Sequence, residues 1–228
     1  MVVAEDARDY IVGWGATRQS RLGSLLSDLF VDPHHQGRGI GQAILRDLWP
    51  DRALPDKRYT FSSRHPHALP LYVRAGLTPR WPLLYLEGPS PRGEHAAVQA
   101  FPISADASAQ IESELSGEHR DADYRFWTRS PRSCGVLVSE GERVLAVGAI
   151  RPGEVLHLTC RRETDSSAAL KAALAAAGPG HTRLCVPGPH PALGDLFKSG
   201  FRLVEYDFAM STADLALPPH WIYSPGLG

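Results

Sequence analysis

Residues 24–48 read SLLSDLFVDPHHQGRGIGQAILRDL, and this order of side chains leaves few folds open. An apolar run stops at Asp32-Pro33. Three glycines, Gly37, Gly39 and Gly41, follow within five residues. Ile40, Ala43, Ile44 and Leu48 then recur at helical spacing. A buried strand, a glycine-rich turn and a helix in succession indicate an α/β architecture. The start of such a helix has unpaired N–H groups and partial positive charge, so it suits an anion. Glycines lack a Cβ and let a phosphate come close to the backbone, and Arg38 can add a charge contact. Other phosphate loops fit less well. No Gly-Lys followed by Ser or Thr occurs, and Gln42 stands where a Rossmann fingerprint needs a third Gly or Ala. A glycine-rich turn that holds no ligand is the alternative reading of the same residues.

Strand and helix patterns alternate along the rest of the chain. Residues 10–16, 59–62 and 83–86 read as strands, and 68–74 as a short helix stopped by Gly76. Residues 88–95 (GPSPRGEH) have turn formers and no apolar period, so they read as a linker. Beyond it, 108–115 and 121–128 look helical. Residues 135–139, 143–150 and 154–160 look like strands, the first two joined by Glu140-Gly141-Glu142. A helix over 166–177, capped by Ser166 or Asp165, precedes a strand at 181–186, a helix at 192–199 and a strand at 201–210. The two halves resemble each other. HALPLYVRAGL (67–77) aligns without gaps on PALGDLFKSGF (191–201), and Val12-Gly13 falls in the same order as Val147-Gly148. An internal duplication follows, with domains at 1–90 and 96–228.

Composition narrows the function. Lys and Arg number 24 and Asp and Glu 25, a net charge of -1, which argues against a protein that grips nucleic-acid backbones. Cys134, Cys160 and Cys185 form no C-x-x-C pair, so neither a zinc knuckle nor a disulfide framework is expected. The first residues carry no signal-peptide pattern. The Ala-rich stretch 168–177 is too short to span a bilayer, so no membrane role and a cytoplasmic location are expected.

Gln36-Gly37-Arg38-Gly39-Ile40-Gly41 resembles the Q/R-x-x-G-x-G/A signature of the GNAT superfamily of N-acetyltransferases, in its strand–loop–helix setting. Residues 68–77, ALPLYVRAGL, resemble that family's A-x-x-L-Y-x-x-x-G-F stretch. The resemblance covers roughly residues 10–86. It implies acetyl-CoA as cosubstrate and no metal, with the acetyl group passed to a primary amine of a small molecule or peptide. The amides of Gln36, Gly37, Arg38, Gly39, Ile40 and Gly41 would cradle the pyrophosphate. Backbone groups of Leu29, Phe30 and Val31 would pair with the pantetheine arm. Tyr72 matches the tyrosine that protonates the departing thiolate, and Asp28, in the strand before the loop, is a candidate base. A core aromatic and an ordinary strand carboxylate are the plainer readings of those two residues. His65 and His67 read as a solvated turn, and His34 and His35 as loop residues.

Two departures from the family pattern stand out. Pro66 occupies a position where the family often has Asn. Only nine residues precede Tyr10, where a first strand and two acceptor-covering helices are expected, so the first copy reads as N-terminally shortened. The second copy has those helices, but Arg161 to Ser166 holds no glycine, and Leu196 replaces the tyrosine. The expected architecture is therefore a tandem of GNAT-like α/β units, each a mixed central sheet flanked by helices, with the second copy degenerate. A non-catalytic acyl-CoA sensor and a tandem interaction scaffold are the other functions these features allow.

Overall fold

The computed structural model describes residues 1–50, 57–91 and 97–227. The chain forms two compact units. Unit 1 consists of Met1–Trp81, Asp207–Leu217 and Pro225–Gly228, and unit 2 of Pro82–Tyr206 and Pro218–Ser224.

Unit 1 contains β1 (Val2–Glu5), β2 (Ile11–Gln19), β3 (Ser24–Val31), a 3-10 turn (Pro33–His35), α1 (Ile40–Leu48), β4 (Arg58–Ser62) and α2 (Ala68–Arg74). β5 (Thr78–Pro89) begins there and continues into unit 2. Unit 2 continues with β6 (Val98–Ile103), α3 (Ala105–Ser116), α4 (Asp121–Trp127), β7 (Cys134–Glu140), β8 (Arg143–Arg151) and β9 (Glu154–Cys160). It ends with α5 (Glu163–Ala176), β10 (His181–Pro187), α6 (Leu193–Lys198) and the first half of β11 (Arg202–Ser211).

In unit 1, β1, β2 and β3 pair antiparallel, β3 and β4 parallel, and β4 antiparallel with the end of β11. Successive strand residues face opposite sides of a sheet. Leu26 therefore joins Leu45, Trp49, Tyr72, Leu77 and Met210 beneath α1 and α2, while Leu25 joins Tyr59, Ala209, Leu215 and Leu217 on the other face. In unit 2 the strands lie in the order β5-β10-β9-β8-β7-β6, with α3 and α4 packed on β8. Within each unit parallel and antiparallel pairs are mixed. No helix among the described residues is long and apolar enough to cross a membrane.

The two units share one register. In unit 1 the parallel pairing of β3 with β4 ends at Leu26–Thr60. Ser27 then bulges, because Thr17 pairs with Leu26 and Ala16 with Asp28. In unit 2 the pairing of β9 with β10 ends at Val155–Leu184. Leu156 bulges there, because Ile150 pairs with Val155 and Ala149 with His157. Asp28 therefore corresponds to His157, Leu29 to Leu158 and Val31 to Cys160. The repeated segment also repeats its hydrogen bonds. The Gly76 and Leu77 N–H groups donate to Val73 and Tyr72 carbonyls, and those of Gly200 and Phe201 to Phe197 and Leu196.

The second sequence match is displaced. Gly148 pairs with Leu158 as Gly15 pairs with Leu29, so the counterpart of Gly148 is Gly15 and not Gly13. The bulge brings a carbonyl against each glycine. A Cβ would stand 3.2 Å from Asp28 O at Gly15 and 2.1 Å from His157 O at Gly148. Gly148→Ala should therefore destabilise the protein by about 3 kcal/mol, as an overpacked core does. Gly194→Ala, in a helix with nothing within 4 Å of the new Cβ, should stabilise it by about 0.5–1 kcal/mol. Urea denaturation of the two variants checks both signs.

Other differences from the sequence reading are local. The residue pattern marks neither β1 nor β6. β5 runs through Gly88 and Pro89, where a linker was expected, and residues 92–95 of that linker lie outside the described residues. α5 starts at Glu163 with Arg162 as N-cap. Both expected caps, Asp165 and Ser166, lie inside the helix, and Ser166 donates to Glu163 O at 2.6 Å. Among the described residues, β1 of unit 1 corresponds to β7, and unit 1 has no counterpart of β6, α3 or α4.

Candidate active site

The expected site residues of unit 1 gather where β3 parts from β4. Thr60 Oγ1 donates to Leu26 O at 2.9 Å at the last paired position. Beyond it β4 follows β11 through Ser62, while β3 stays with β2. A bulge bends and twists its strand, and the one at Ser27 falls where the strands separate.

Antiparallel pairing turns the backbone groups of alternate residues toward and away from the partner strand. Asp32 N–H donates to Val12 O at 2.9 Å. By that alternation Asp28 and Phe30 turn their backbone groups toward β2, and Leu29 and Val31 turn theirs toward the gap beside β4. Of the three strand-end residues expected to pair with a ligand, Leu29 and Val31 face the gap. Phe30 does not, and offers instead a ring that is 57% exposed and lies 5.3 Å from that of Trp14.

The loop is built in two pieces. The Asp32-Pro33 step opens the 3-10 turn, with Asp32 Oδ1 accepting from His34 N–H at 2.8 Å and lying 3.2 Å from His35 Nδ1. Hydrogen bonds from the His35 ring and the His34 amide hold the Asp32 carboxyl below its usual range. The Gln36 side chain donates to Val31 O at 3.0 Å, so it braces the loop against the strand end. Gly37 and Gly39 follow at φ +76° and +84°, a left-handed backbone that glycine adopts without penalty. A Cβ at either would meet nothing within 4 Å, so the conformation requires glycine and the space does not. Gly39 caps α1 without a side-chain bond, and Ala43 N–H donates to Gly39 O at 3.0 Å. The N–H groups of Ile40, Gly41 and Gln42 precede it and have no acceptor one turn back in the helix. Gly41 sits against α2, where its Cβ would be 3.5 Å from Leu71 Cδ2. Arg38 is exposed beside these groups.

Tyr72, on α2, is 7% exposed and packs with Leu26, Leu45, Trp49, Leu77 and Met210. Burial pushes its phenol up to about 12. Leu29 packs against the same cluster, so the adjacent Asp28 points to the opposite face of the sheet. Tyr72 and Asp28 thus flank the strand end from opposite sides. His65 and His67 are exposed, and His65 Nδ1 accepts from His67 N–H at 3.3 Å ahead of α2. Among the described residues no group of three His, Cys, Asp or Glu is arranged to hold a metal.

Unit 2 differs at each of these points. Cys160 ends β9 and Glu163 starts α5, leaving Arg161-Arg162 in place of the glycine loop. Leu196 stands at the position of Tyr72. His157, at the position of Asp28, is fully buried, 3.0 Å from Glu112 through Nε2 and stacked on Trp127 at 4.8 Å.

Sequence reasoning missed the bracing role of Gln36, although a polar residue just after a turn invites that question. It also missed a cavity of about 250 Å³ between α1 and α2 that Arg46, Arg58 and Arg74 line. Arg46 and Arg74 fall in the last turns of their helices, where basic residues are common for electrostatic reasons alone, so the sequence did not mark them.

Residues 1–78 match the family model described as the acetyltransferase (GNAT) domain. No curated protein matches the sequence significantly. Solved structures resemble the fold. A chain from Pyrococcus horikoshii named for a proposed acetyltransferase activity has a TM-score of 0.68 at 17% identity, over 95% of this chain and 75% of that one. A GCN5-related N-acetyltransferase from Sphaerobacter thermophilus has a TM-score of 0.58 at 14% identity, over 92% of this chain and 79% of that one. A tandem GNAT protein from the clavulanic acid biosynthesis pathway has a TM-score of 0.52 at 13% identity, over 92% and 81%.

Proposed function

With residues 1–78 matched by the GNAT acetyltransferase domain and the chain built on the GNAT fold, we propose that unit 1 binds acetyl-CoA and passes its acetyl group to a primary amine. The observation that carries this reading is the continuity of a strand end whose backbone faces a gap with a glycine loop and a helix start. Leu29 and the Val31 N–H pair with polar groups of the pantetheine arm, the Val31 carbonyl being held by Gln36. The N–H groups of the 36–41 loop and of the first turn of α1 hold the pyrophosphate, helped by Arg38. Residues 1–90 are then the acetyl-CoA-binding half, and 96–228 a degenerate copy that supplies structure.

Tyr72 stands beside the departing sulfur. A phenol held at about 12 keeps its proton at every ordinary pH. A thiol has a pKa near ~8.5, so full proton transfer to the thiolate is uphill by roughly 5 kcal/mol. Tyr72 therefore donates a hydrogen bond to the sulfur as charge develops on it, and solvent completes the protonation. Asp28, on the other face, receives the amine and takes its proton as the amide forms. No metal enters this scheme.

Gly41→Glu tests the reading, with the melting temperature as the control for the fold. Gly41 is outside the positive-φ region, its Cβ position is in ordinary contact, and an acidic side chain suits a helix start. The variant should melt like the parent and bind acetyl-CoA about 100-fold more weakly, because a carboxylate replaces the approach of the phosphates. Unchanged affinity by calorimetry would sink the assignment. Release of CoA across an amine panel separates catalysis from a binding-only role.

A further inference from the structure

The strands of both units part at the same register, yet the two gaps are treated differently. In unit 1 no described segment pairs with Leu29 on the side of the gap. In unit 2 the corresponding Leu158 is fully engaged. Its N–H donates to Ile222 O at 3.1 Å, and Ile222 N–H donates back to Leu158 O at 2.9 Å. One residue pair further, Trp221 Nε1 donates to Cys160 O at 3.2 Å. Leu29, the counterpart of Leu158, faces the gap in unit 1, while Val31 O, the counterpart of Cys160 O, accepts from the Gln36 side chain. The alternation is the same, since Arg161 N–H donates to Leu145 O at 2.8 Å just as Asp32 N–H does to Val12 O.

We propose that Pro218–Ser224 is a built-in occupant of the strand gap of unit 2, a peptide that takes the hydrogen bonds which unit 1 reserves for a pantetheine arm. The comparison with pantetheine rests on the acetyl-CoA reading of unit 1. The occupancy itself rests on the bonds of Leu158 and Cys160. An added extended segment satisfies a strand edge through its own backbone while its side chains fix the position. Here Ile222 is 0% exposed and Tyr223 1%, and the Tyr223 hydroxyl donates to Pro218 O at 2.8 Å, which closes the segment on itself. Being part of the same chain, the occupant is present at high effective concentration and no free ligand competes on equal terms. Loss of the glycine loop alone would weaken phosphate binding and leave the arm's slot open. The occupant closes the slot as well, so the chain binds one acyl-CoA.

Residue-resolved amide hydrogen exchange on the intact chain, with and without saturating acetyl-CoA, tests this. Before ligand, the Leu158 and Ile222 amides should exchange at least ~100-fold more slowly than those of Leu29 and Val31, because among the described residues only the former pair has amide partners. Acetyl-CoA should slow Leu29 and Val31 and leave Leu158 and Ile222 unchanged. A change at Leu158 and Ile222 with ligand, or two acyl-CoA molecules per chain in native mass spectrometry, would overturn the proposal. Ile222→Pro removes the N–H that donates to Leu158 O. It should speed exchange at Leu158 about 10-fold or more while Leu29 stays as in the parent. Protection at Leu158 that survives this change also overturns it. If that variant does not fold, the parent measurements still decide. Should acetyl-CoA slow none of the four amides, the reading of unit 1 fails, while fast exchange at Leu158 and Ile222 before ligand is what would dismiss the occupant.

Discussion

Tyr72→Phe should lower kcat for acetyl transfer by about 100-fold, the lower end of what a positioned acid–base group contributes, and leave the KM for acetyl-CoA and the melting temperature close to the parent's. The ring keeps its place among Leu26, Leu45, Trp49 and Leu77, so the change removes the hydroxyl and little else. The phenol, held at about 12 by burial, stays protonated throughout an assay between pH 6 and 10 (roughly, from the ordinary range of such assays). The loss should therefore be the same at both ends of that range. A defect that appeared only at high pH would mean that another group is the donor. A variant with full kcat would return Tyr72 to the role of a core aromatic.

Glu112→Ala should have the largest effect on stability, about 3–5 kcal/mol, the cost of breaking a buried ion pair from one side. Glu112 is wholly buried on α3. It accepts from Tyr124 OH at 2.6 Å and Thr159 Oγ1 at 2.7 Å, and it lies 3.1 Å from Arg120 Nε and 3.0 Å from His157 Nε2. Burial alone would raise its pKa. The charges of His157 and Arg120 and the hydrogen bonds of His157 and Tyr124 outweigh that and hold it at about 2, below the ordinary carboxyl range. A depressed carboxyl stabilises the fold above its unfolded pKa and loses that contribution as pH falls through the folded value. About 3 kcal/mol of stability should thus disappear between pH ~4.5 and ~2. Urea midpoints measured down this range should fall in the parent, and this component should be missing from Glu112→Gln, which is already weaker at pH 7.

The elements that the sequence made legible are those with a strong period or an obligatory residue. β3 is an apolar run with a Pro stop, and its limits are those expected. The loop was legible because Gly37 and Gly39 sit at positive φ, where few other residues are comfortable. β1 has only four residues, and β6 carries Pro102 on a strand at the edge of its sheet, where Pro is tolerated and apolar alternation is weak. The α5 cap misled because Ser166 has two ways to satisfy its hydroxyl, and inside the helix it bonds back to Glu163. The placement of Asp28 and Tyr72 on opposite faces depends on the bulge at Ser27, which reverses the in–out count and leaves no mark in the residues. The pairing of Ile222 with Leu158 joins segments more than sixty residues apart, beyond any local pattern.

The exchange of closing strands has a consequence for how such a chain can evolve. The Asp207–Leu217 stretch that belongs to unit 1 brings the residues that pair with β4, and Met210, Leu215 and Leu217 belong to its two cores. A gene cut after the first copy would encode a protein without them. Once each copy had come to finish the other's sheet, neither half could be deleted without opening the sheet of the other. Each half is tied to the other by the strand it lends.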